Sequence, residues 1–199
     1  FVLRALADGV YVVASSHNRL LLKSNSYLVA RDSDVVLIDP GPEVLFTQLH
    51  TAIAELCDPS CLRGIVVTQG WYDAVSTLPR WKEAAPQAVV YAHWWTAMTI
   101  ALAGVTLPVV SIHTGNAGTT RPLDDLELVL FRELSELGML GVFDRRTGTL
   151  FSGDLFGSVG TAGDSTATEN PAIRRIKAFN RRYLGDHTRA RNVGNAVGE

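Results

Sequence analysis

Acidic side chains follow three apolar stretches of the sequence that have the length of buried strands. Asp39 comes directly after VVLI, Asp73 lies in the segment TQGWYDA that follows GIVV, and Asp154 follows TLFSG. Loops at strand ends are where folds of this kind usually carry function. Clustered carboxylates can bind a hard cation, or one of them can hold a proton when no cation offsets their charges. The strand ends that carry these aspartates are therefore the candidate functional region.

The elements that must position these loops alternate between strands and helices. Hydrophobic periodicity and turn residues predict strands at Asp8–Val13, Asn25–Ala30, Val35–Ile38, Gly64–Thr68, Ala88–Ala92, Val109–Ile112, Leu126–Arg132, Leu140–Phe143 and Thr149–Ser152. They predict helices at Val44–Leu56, Ser76–Ala85, Thr96–Ala103 and Pro171–Leu184, a hairpin turn at Asp144–Gly148 and a loop over 157–170. Two strand-rich sections with interleaved helices favour an α/β protein of sheets packed face to face, with helices outside.

Length and composition exclude several classes of protein. The 199 residues, 47% of them apolar with a net charge of -2, are typical of one compact domain spanning residues 1–199. We expect no nucleic-acid partner because no dense basic cluster occurs, and no membrane span because the apolar stretches are far shorter than about 20 residues. No secretory signal is visible, which favours a cytoplasmic protein. Cys57 and Cys61 lack two further soft ligands for zinc and are interpreted as reduced thiols.

Three longer segments resemble a known family. NSYLVARDSDVVLIDPGP, GIVVTQGWYDAVSTLPRW and GVFDRRTGTLFSGDLFG are similar, in order and spacing, to the signature segments of the metallo-β-lactamase fold superfamily. The likeness covers about residues 8–184 and is nearest to the flavodiiron and oxygen-binding di-iron branch. It implies a four-layer αββα sandwich. It also leads us to expect that the final segment of the fold is incomplete in this chain, which ends at Glu199.

The resemblance also identifies the positions where the family places its metal ligands. The family phrase is Thr-His-x-His-x-Asp-His, or His-x-Glu-x-Asp-His in the di-iron branch. The corresponding positions in this chain, with the two later ligand positions, are Gln69, Trp71, Asp73, Ala74, Ser135 and Asp154. Only Asp73 and Asp154 match the family, and the family's last histidine has no counterpart before the chain ends. A tight transition-metal site needs three or four ligands, commonly imidazole or thiolate, so we expect no metal.

The replacements are consistent with a repacked pocket. Gln69 and Ser135 keep hydrogen-bonding capacity without metal affinity, and the Trp71 ring could fill the vacated space. Without cations, Asp73 and Asp154 face each other, so one must be protonated or a donor must lie between them. The candidate donors are Gln69, Ser135, the Trp71 indole and the Tyr72 hydroxyl. Three readings stay open: both aspartates cap loops, they retain a weak metal site, or they line a small-ligand pocket.

Aromatic and histidine side chains near these loops allow two interpretations. Trp71, Tyr72, Trp94 and Trp95 could form an aromatic wall around the pocket, or could simply pack in the core. His93 could approach the rim of the pocket, although a buried histidine satisfied by the backbone is the simpler reading. The five histidines are scattered over separate segments, so they do not predict a metal cluster.

These observations favour a degenerate metallo-β-lactamase-fold domain, a pseudoenzyme that serves as a binding, sensing or assembly module. The alternative is a metal-dependent hydrolase or di-iron-type oxidoreductase with an atypical site at Asp73 and Asp154, holding weakly bound iron or zinc. The expected partners are a small ligand in the former metal pocket or another protein, and an oligomer is compatible with the sequence. The resemblance also implies fusion to, or pairing with, a redox or signalling domain.

Overall fold

The computed structural model describes residues 2–14, 25–131, 137–156 and 176. Within them, two β-sheets pack against each other, and helices cover the outer face of the larger sheet. No helix in these ranges is long and apolar enough to cross a membrane.

The larger sheet has seven strands in sequence order. They are β1 (Val2–Ala7), β2 (Val10–Ala14), β3 (Asn25–Arg31), β4 (Asp34–Ile38), β5 (Leu62–Val67), β6 (Val89–His93) and β7 (Val109–Ile112). Strands β1 to β4 pair antiparallel, whereas β4 to β7 pair parallel. Parallel pairing brings the carboxyl ends of β4, β5 and β6 to one edge of the sheet. The loops that carry Asp39 and Asp73 start from that edge.

Helices connect the parallel strands and lie on one face of the larger sheet. They are α1 (Phe46–Ala54), α2 (Tyr72–Val75), α3 (Leu78–Ala84) and α4 (Trp94–Leu102), with short 3₁₀ helices at Glu43–Leu45 and Pro59–Cys61. The largest side chain at this interface is Trp81, which is fully buried and packs edge-on against Phe46 with ring centroids 4.9 Å apart. Burial of such apolar faces is the main stabilising contribution of short helices.

The smaller sheet has three antiparallel strands in the order β10-β9-β8. They are β8 (Leu126–Leu130), β9 (Leu140–Asp144) and β10 (Thr149–Phe151), and a 3₁₀ helix at Gly153–Phe156 follows β10. This last turn carries Asp154. The hairpin between β9 and β10 confirms the turn predicted at Asp144–Gly148, with Asp144 paired with Thr149.

Strand β4 shows how the layers are held together. Val35 and Leu37 belong to the core beneath the helices, whereas Val36 and Ile38 belong to the core between the two sheets. Because successive side chains of a strand point to opposite faces, an uninterrupted apolar run is required wherever both faces are covered. The helix, sheet and sheet layers agree with the expected αββα architecture. The helix predicted at Pro171–Leu184, which would supply the fourth layer, lies outside the described residues apart from Ile176, which is helical.

Two predicted elements need correction. The edge strand β1 was not predicted, although Asp8-Gly9 between two apolar runs is a hairpin signal, with Gly9 at φ 65°. The helix expected over Ser76–Ala85 is the shorter α3 (Leu78–Ala84), and a separate one-turn helix, α2 (Tyr72–Val75), precedes it and was not predicted. Pro79 lies in the first turn of α3, where proline starts a helix more readily than it continues one. The loop predicted over 157–170 lies outside the described residues.

Candidate functional site

Asp39 lies at the end of β4 and holds the neighbouring end of β5. Its backbone has φ 54°, and its N–H donates to the Val66 carbonyl at 2.9 Å. Its carboxylate accepts the Thr68 backbone N–H at 2.9 Å and the Thr68 hydroxyl at 2.8 Å. Burial raises the pKa of Asp39 to about 7, against the lowering effect of these hydrogen bonds, and the charges of Asp154 and Asp73 raise it further.

Asp73 lies in the first turn of α2 and is partly buried. Burial raises its pKa, whereas hydrogen bonds from the backbone N–H groups of Asp73 and Ala74 lower it. The N-cap of α2 is Trp71, and no side-chain cap hydrogen bond is formed there, so the reading of Asp73 as a cap stays a prediction. Burial outweighs the lowering effect, and the pKa of Asp73 stays above the ordinary value for aspartate.

Asp154 is brought to the same region by the 3₁₀ helix that follows β10. Burial raises its pKa, a hydrogen bond from the Gln69 side chain lowers it, and the charge of Asp73 raises it again. Of the candidate donors named from the sequence, Gln69 is the one whose side chain lowers the pKa of Asp154.

Gln69 is 5% exposed, and its side-chain carbonyl oxygen Oε1 has no hydrogen-bond partner within the described residues. The Gln69 side chain also lowers the pKa of Asp154, which links the two residues electrostatically. A buried acceptor without a donor costs about 1–3 kcal/mol. Ala74, at another position aligned with a family ligand, is buried and carries no polar side-chain atom.

The aromatic residues beside the site lie at the surface. Trp71 is 55% exposed and Tyr72 is 76% exposed, and about half of Trp94 and Trp95 is exposed. The interpretation of these four rings as core packing is therefore wrong. The expectation that the Trp71 ring fills a vacated interior is also wrong, because more than half of its surface is accessible. Their position instead provides an accessible aromatic surface next to Asp73.

His93 does not act at the rim of the pocket. It is almost fully buried at the end of β6, and its Nδ1 accepts the Trp95 backbone N–H at 3.3 Å. Burial lowers its pKa, which favours the neutral imidazole. The simpler reading, a histidine satisfied by the backbone, is confirmed.

Thr68 ties the two sheets together at the site, a role that the sequence analysis missed. Its carbonyl accepts the Leu140 N–H from β9 at 2.8 Å. Gly153 approaches it so closely that a Cβ at residue 153 would lie 2.7 Å from the Thr68 hydroxyl oxygen. The segment Ile-Asp-Pro-Gly identified Asp39 in the sequence. Its hydrogen-bond partner Thr68 could not be identified there, because the contact depends on how the ends of β4 and β5 lie side by side.

The described side chains do not fit the metal centre that the family resemblance implies. No three His, Cys, Asp or Glu side chains gather into a metal-binding group in the ranges 2–14, 25–131 and 137–156. The aligned positions there offer oxygen atoms from Gln69, Asp73 and Asp154, and none from Ala74, whereas tight iron or zinc sites are rich in imidazole or thiolate. Ser135 and the chain after Phe156, except Ile176, lie outside the described residues.

Comparisons with known proteins agree with this architecture. Residues 22–199 match the family model described as ODP family beta lactamase. A comparison with the curated proteins finds no match.

Similar solved structures include several flavodiiron proteins. The Flv1 flavodiiron core from Synechocystis sp. PCC6803 is 17% identical with a TM-score of 0.77, covering 99% of this chain and 53% of that one. The flavodiiron protein from Giardia intestinalis is 15% identical with a TM-score of 0.81, covering 99% and 51%. Rubredoxin oxygen:oxidoreductase from the anaerobe Desulfovibrio gigas is 18% identical with a TM-score of 0.74, covering 90% and 48%. The chain thus spans about half the length of these three structures.

Proposed function

We propose that this chain, which belongs to the family described as ODP family beta lactamase, is a metallo-β-lactamase-fold domain without a competent dinuclear metal centre. In this proposal the domain acts as a non-catalytic binding, sensing or assembly module. The former metal pocket then serves as a ligand site or as a fixed structural element for a partner protein.

The single observation that carries the proposal is Ala74. This residue occupies a position where the resemblance implies a histidine ligand, and it is buried in the helix-side core next to Asp73. A methyl group cannot bind a metal. No other side chain compensates for it, because no three His, Cys, Asp or Glu side chains form a metal-binding group in the described part of the chain. Gln69 supports the same reading because an amide replaces a histidine ligand at its position, whereas tight iron and zinc sites are rich in imidazole or thiolate.

Metal analysis tests this proposal directly. Protein produced with iron and zinc available should contain far less than one metal ion per chain. The variant that combines Gln69→His, Trp71→Glu and Ala74→His restores the family phrase around Asp73, and we expect it to gain iron or zinc. The same triple variant carrying Asp154→Asn is the matched control and should lose that gain.

The outcome that contradicts the proposal is stoichiometric iron or zinc in the unmodified protein that Asp154→Asn removes. Because the triple variant introduces bulk at buried position 74, circular dichroism and thermal unfolding should accompany the metal analysis. A folded triple variant that binds no metal would show that the missing ligands at residues 69, 71 and 74 are not what limits binding.

A second candidate function is a metal-dependent hydrolase or a di-iron-type oxidoreductase that uses Asp73 and Asp154. The likeness of the fold to flavodiiron structures favours it. In that case Asp154→Ala should remove both bound metal and turnover. Retention of either one in the Asp154→Ala variant would contradict this candidate.

We also propose a cytoplasmic setting. Cys57 and Cys61 are both free thiols, and reducing compartments keep such thiols unpaired.

A further inference from the structure

We infer that the outer side of α4 (Trp94–Leu102) packs against α4 of a second copy of this chain in a twofold-symmetric dimer. The inference concerns a surface of the helix layer and not the acidic site. It goes beyond the proposed function, because association through α4 does not depend on whether the chain holds a metal ion. The partner is another copy of the same domain.

The sequence around α4 is uncharged. No Asp, Glu, Lys or Arg occurs between Glu83 and Arg121, although 19% of the chain consists of these residues. A helix at the surface of a globular protein ordinarily carries charged or polar residues on its solvent side, and a helix that is apolar all round is ordinarily buried. Helix α4 belongs to the outer layer, so its outer side has the composition of a surface that is covered by a partner.

Four large apolar side chains form the outer side of α4, and we call them the α4 stripe. Thr96 and Ile100 are fully buried, which fixes the rotation of the helix about its axis. By the helical period, the opposite side carries Trp94, Trp95, Met98 and Leu102, which are 44%, 50%, 51% and 87% exposed. Thr99 lies beside them, and its hydroxyl donates to the Trp95 carbonyl of the same helix at 3.3 Å. The stripe therefore offers mainly apolar contact area.

The area of the α4 stripe matches what a dimer requires. With about 200 Å² for a side chain of this size, the exposed fractions leave roughly 450 Å² of the stripe accessible in each copy. Apolar patches of several hundred Å² on a soluble protein ordinarily mark an interaction surface. Two copies that pack their stripes together bury roughly 900 Å² before the exposed Ala101 and the rim are counted, which reaches the roughly 1,000 Å² expected of a specific interface.

The chemistry of the α4 stripe favours a second copy over a different protein. In a twofold dimer the same surface meets itself, so a charge near the axis would face its own sign. The stripe carries no charge and meets itself without that repulsion. Aromatic residues and methionine are enriched in the cores of protein interfaces, and charged residues are depleted there. Trp94 and Trp95 pack edge to face with ring centroids 5.4 Å apart, and they are the expected anchors.

Strand β7, which lies beneath α4, is less suited to pairing with a second copy. It is the edge strand of the larger sheet among the described residues. The Pro108 carbonyl accepts the Val90 N–H from β6 at 2.8 Å, so the backbone groups of Ser111 and His113 alternate to the outer edge. The Asn116 side chain donates to the Ser111 carbonyl at 3.0 Å and accepts the His113 N–H at 2.9 Å. Because edge strands covered in this way do not readily pair with another chain, the helix side is the better contact.

Sedimentation velocity of the full chain over a range of concentrations tests the inference. We expect a species of twice the mass of one chain that dissociates reversibly on dilution, with a dissociation constant in the micromolar range, because the interface is at the small end of the specific class. Leu102→Glu introduces a carboxylate into the stripe of each copy and should weaken the dimer at least about tenfold. Met98→Glu, one turn earlier, should have the same effect.

Two features keep misfolding apart from lost association. Leu102 is mostly exposed and glutamate favours helices, so Leu102→Glu should retain the circular dichroism spectrum of the unmodified protein. Leu150→Glu is the matched control, because Leu150 is also an exposed leucine but lies on β10 in the smaller sheet. Its dimer should dissociate over the same concentration range as the unmodified dimer.

Quenching of tryptophan fluorescence by acrylamide identifies what covers the stripe. The dimer protects Trp94 and Trp95, so dilution of the unmodified protein should increase quenching. The fully buried Trp81 and the exposed Trp71 contribute a constant background. Quenching of Leu102→Glu should not change with concentration.

The inference is overturned if the unmodified chain stays monomeric at the highest concentration that sedimentation can measure. A monomer with poorly quenched tryptophans would show that another part of the chain covers the stripe, and one with readily quenched tryptophans would leave the stripe to a different protein. A dimer that survives both Leu102→Glu and Met98→Glu also overturns it, as does equal weakening in Leu150→Glu, since the copies then meet elsewhere. None of these results alters the metal analysis that tests the proposed function.

Discussion

Arg31, the last residue of β3 in the larger sheet, forms an ion pair with the fully buried Asp144 at the end of β9 in the smaller sheet, with 2.7 Å between Nη2 and Oδ2. Its Nε also donates to Asp125 at 2.7 Å. Burial alone would raise the pKa of Asp144, but hydrogen bonds from Thr147 and Arg31 and the charge of Arg31 hold it below the ordinary value. The two sheets are therefore joined by an ion pair as well as by their apolar core.

We predict that Arg31→Gln lowers the free energy of unfolding by about 3 kcal/mol, because it leaves a buried carboxylate without its counterion. Arg63→Gln is the matched control: Arg63 pairs with Asp34 at 2.9 Å, but both side chains are well exposed, so the loss should be under about 1 kcal/mol. Urea unfolding at pH 7 measures both values. Equal losses in the two variants would show that the buried pair contributes no more than a surface pair.

We predict that Asp39→Asn reduces the pH dependence of stability between pH 3.8 and about 7. The pKa of Asp39 is raised to about 7 in the folded protein from 3.8, so in this window the folded state binds the proton more tightly than the unfolded chain. The free energy of unfolding therefore falls as the pH rises, and asparagine removes that fall, on the order of 4 kcal/mol across the whole window. Asparagine can keep the hydrogen bonds with Thr68 and tolerates a positive φ.

Asp32→Asn is the control for the Asp39 measurement. Asp32 also has a positive φ, at 50°, but it is exposed in the turn between β3 and β4. Any gain from placing asparagine in the left-handed region is thus shared by both variants. Chemical unfolding at several pH values should give parallel curves for Asp32→Asn and the unmodified protein. A parallel curve for Asp39→Asn as well would contradict the raised pKa.

We predict that Gly153→Ala destabilises the protein by about 2 kcal/mol more than Gly148→Ala. Both glycines have positive φ, 56° and 67°, so alanine is strained at both positions. The added Cβ at residue 153 would meet the Thr68 hydroxyl at 2.7 Å, whereas nothing lies within 4 Å at residue 148. Forcing a group into a packed contact costs about 1–3 kcal/mol. Thermal unfolding of the two variants gives the comparison, and equal melting temperatures would exclude a rigid contact between residues 153 and 68.

We predict that Thr96→Val lowers the free energy of unfolding by about 1–2 kcal/mol. The buried Thr96 hydroxyl donates to the Gly138 carbonyl at 2.9 Å, and valine leaves that acceptor without its donor. Thr99→Val is the control because its hydroxyl donates to the Trp95 carbonyl of the same helix at 3.3 Å and lies nearer the surface. The control should lose less than about 0.5 kcal/mol in urea unfolding. A larger loss in Thr99→Val than in Thr96→Val would contradict the importance of the contact to Gly138.

Much of the fold could be predicted because both faces of its central strands are covered. The apolar runs at Val35–Ile38 and Gly64–Val67 have no polar residue facing either layer, and such runs indicate buried strands. The first strand was missed because Arg4 and two small alanines weaken its apolar pattern. The helix α2 was not predicted because its four residues, Tyr72–Val75, are too few to show a helical period.

The candidate site could be predicted in its membership but not in its electrostatics. Gln69, Asp73 and Asp154 were identified by their positions in the sequence, and in the structure Gln69 and Asp73 both affect the pKa of Asp154. The state of Asp39 could not be predicted, because it depends on burial and on two carboxylates that arrive from other strands. Exposure of the Trp71 ring likewise depends on the packing of α4 and could not be read from residue type.

The hydrogen bond between Leu140 and Thr68 joins the two sheets beside the candidate site. Gln69 and Asp154 are far apart in the chain, and the smaller sheet must dock on the larger one through this bond before they can meet. Contacts of such long sequence separation are slow to form because loop closure is entropically costly. We therefore expect the region around Asp154 and Gln69 to form late in folding, after the local hairpins.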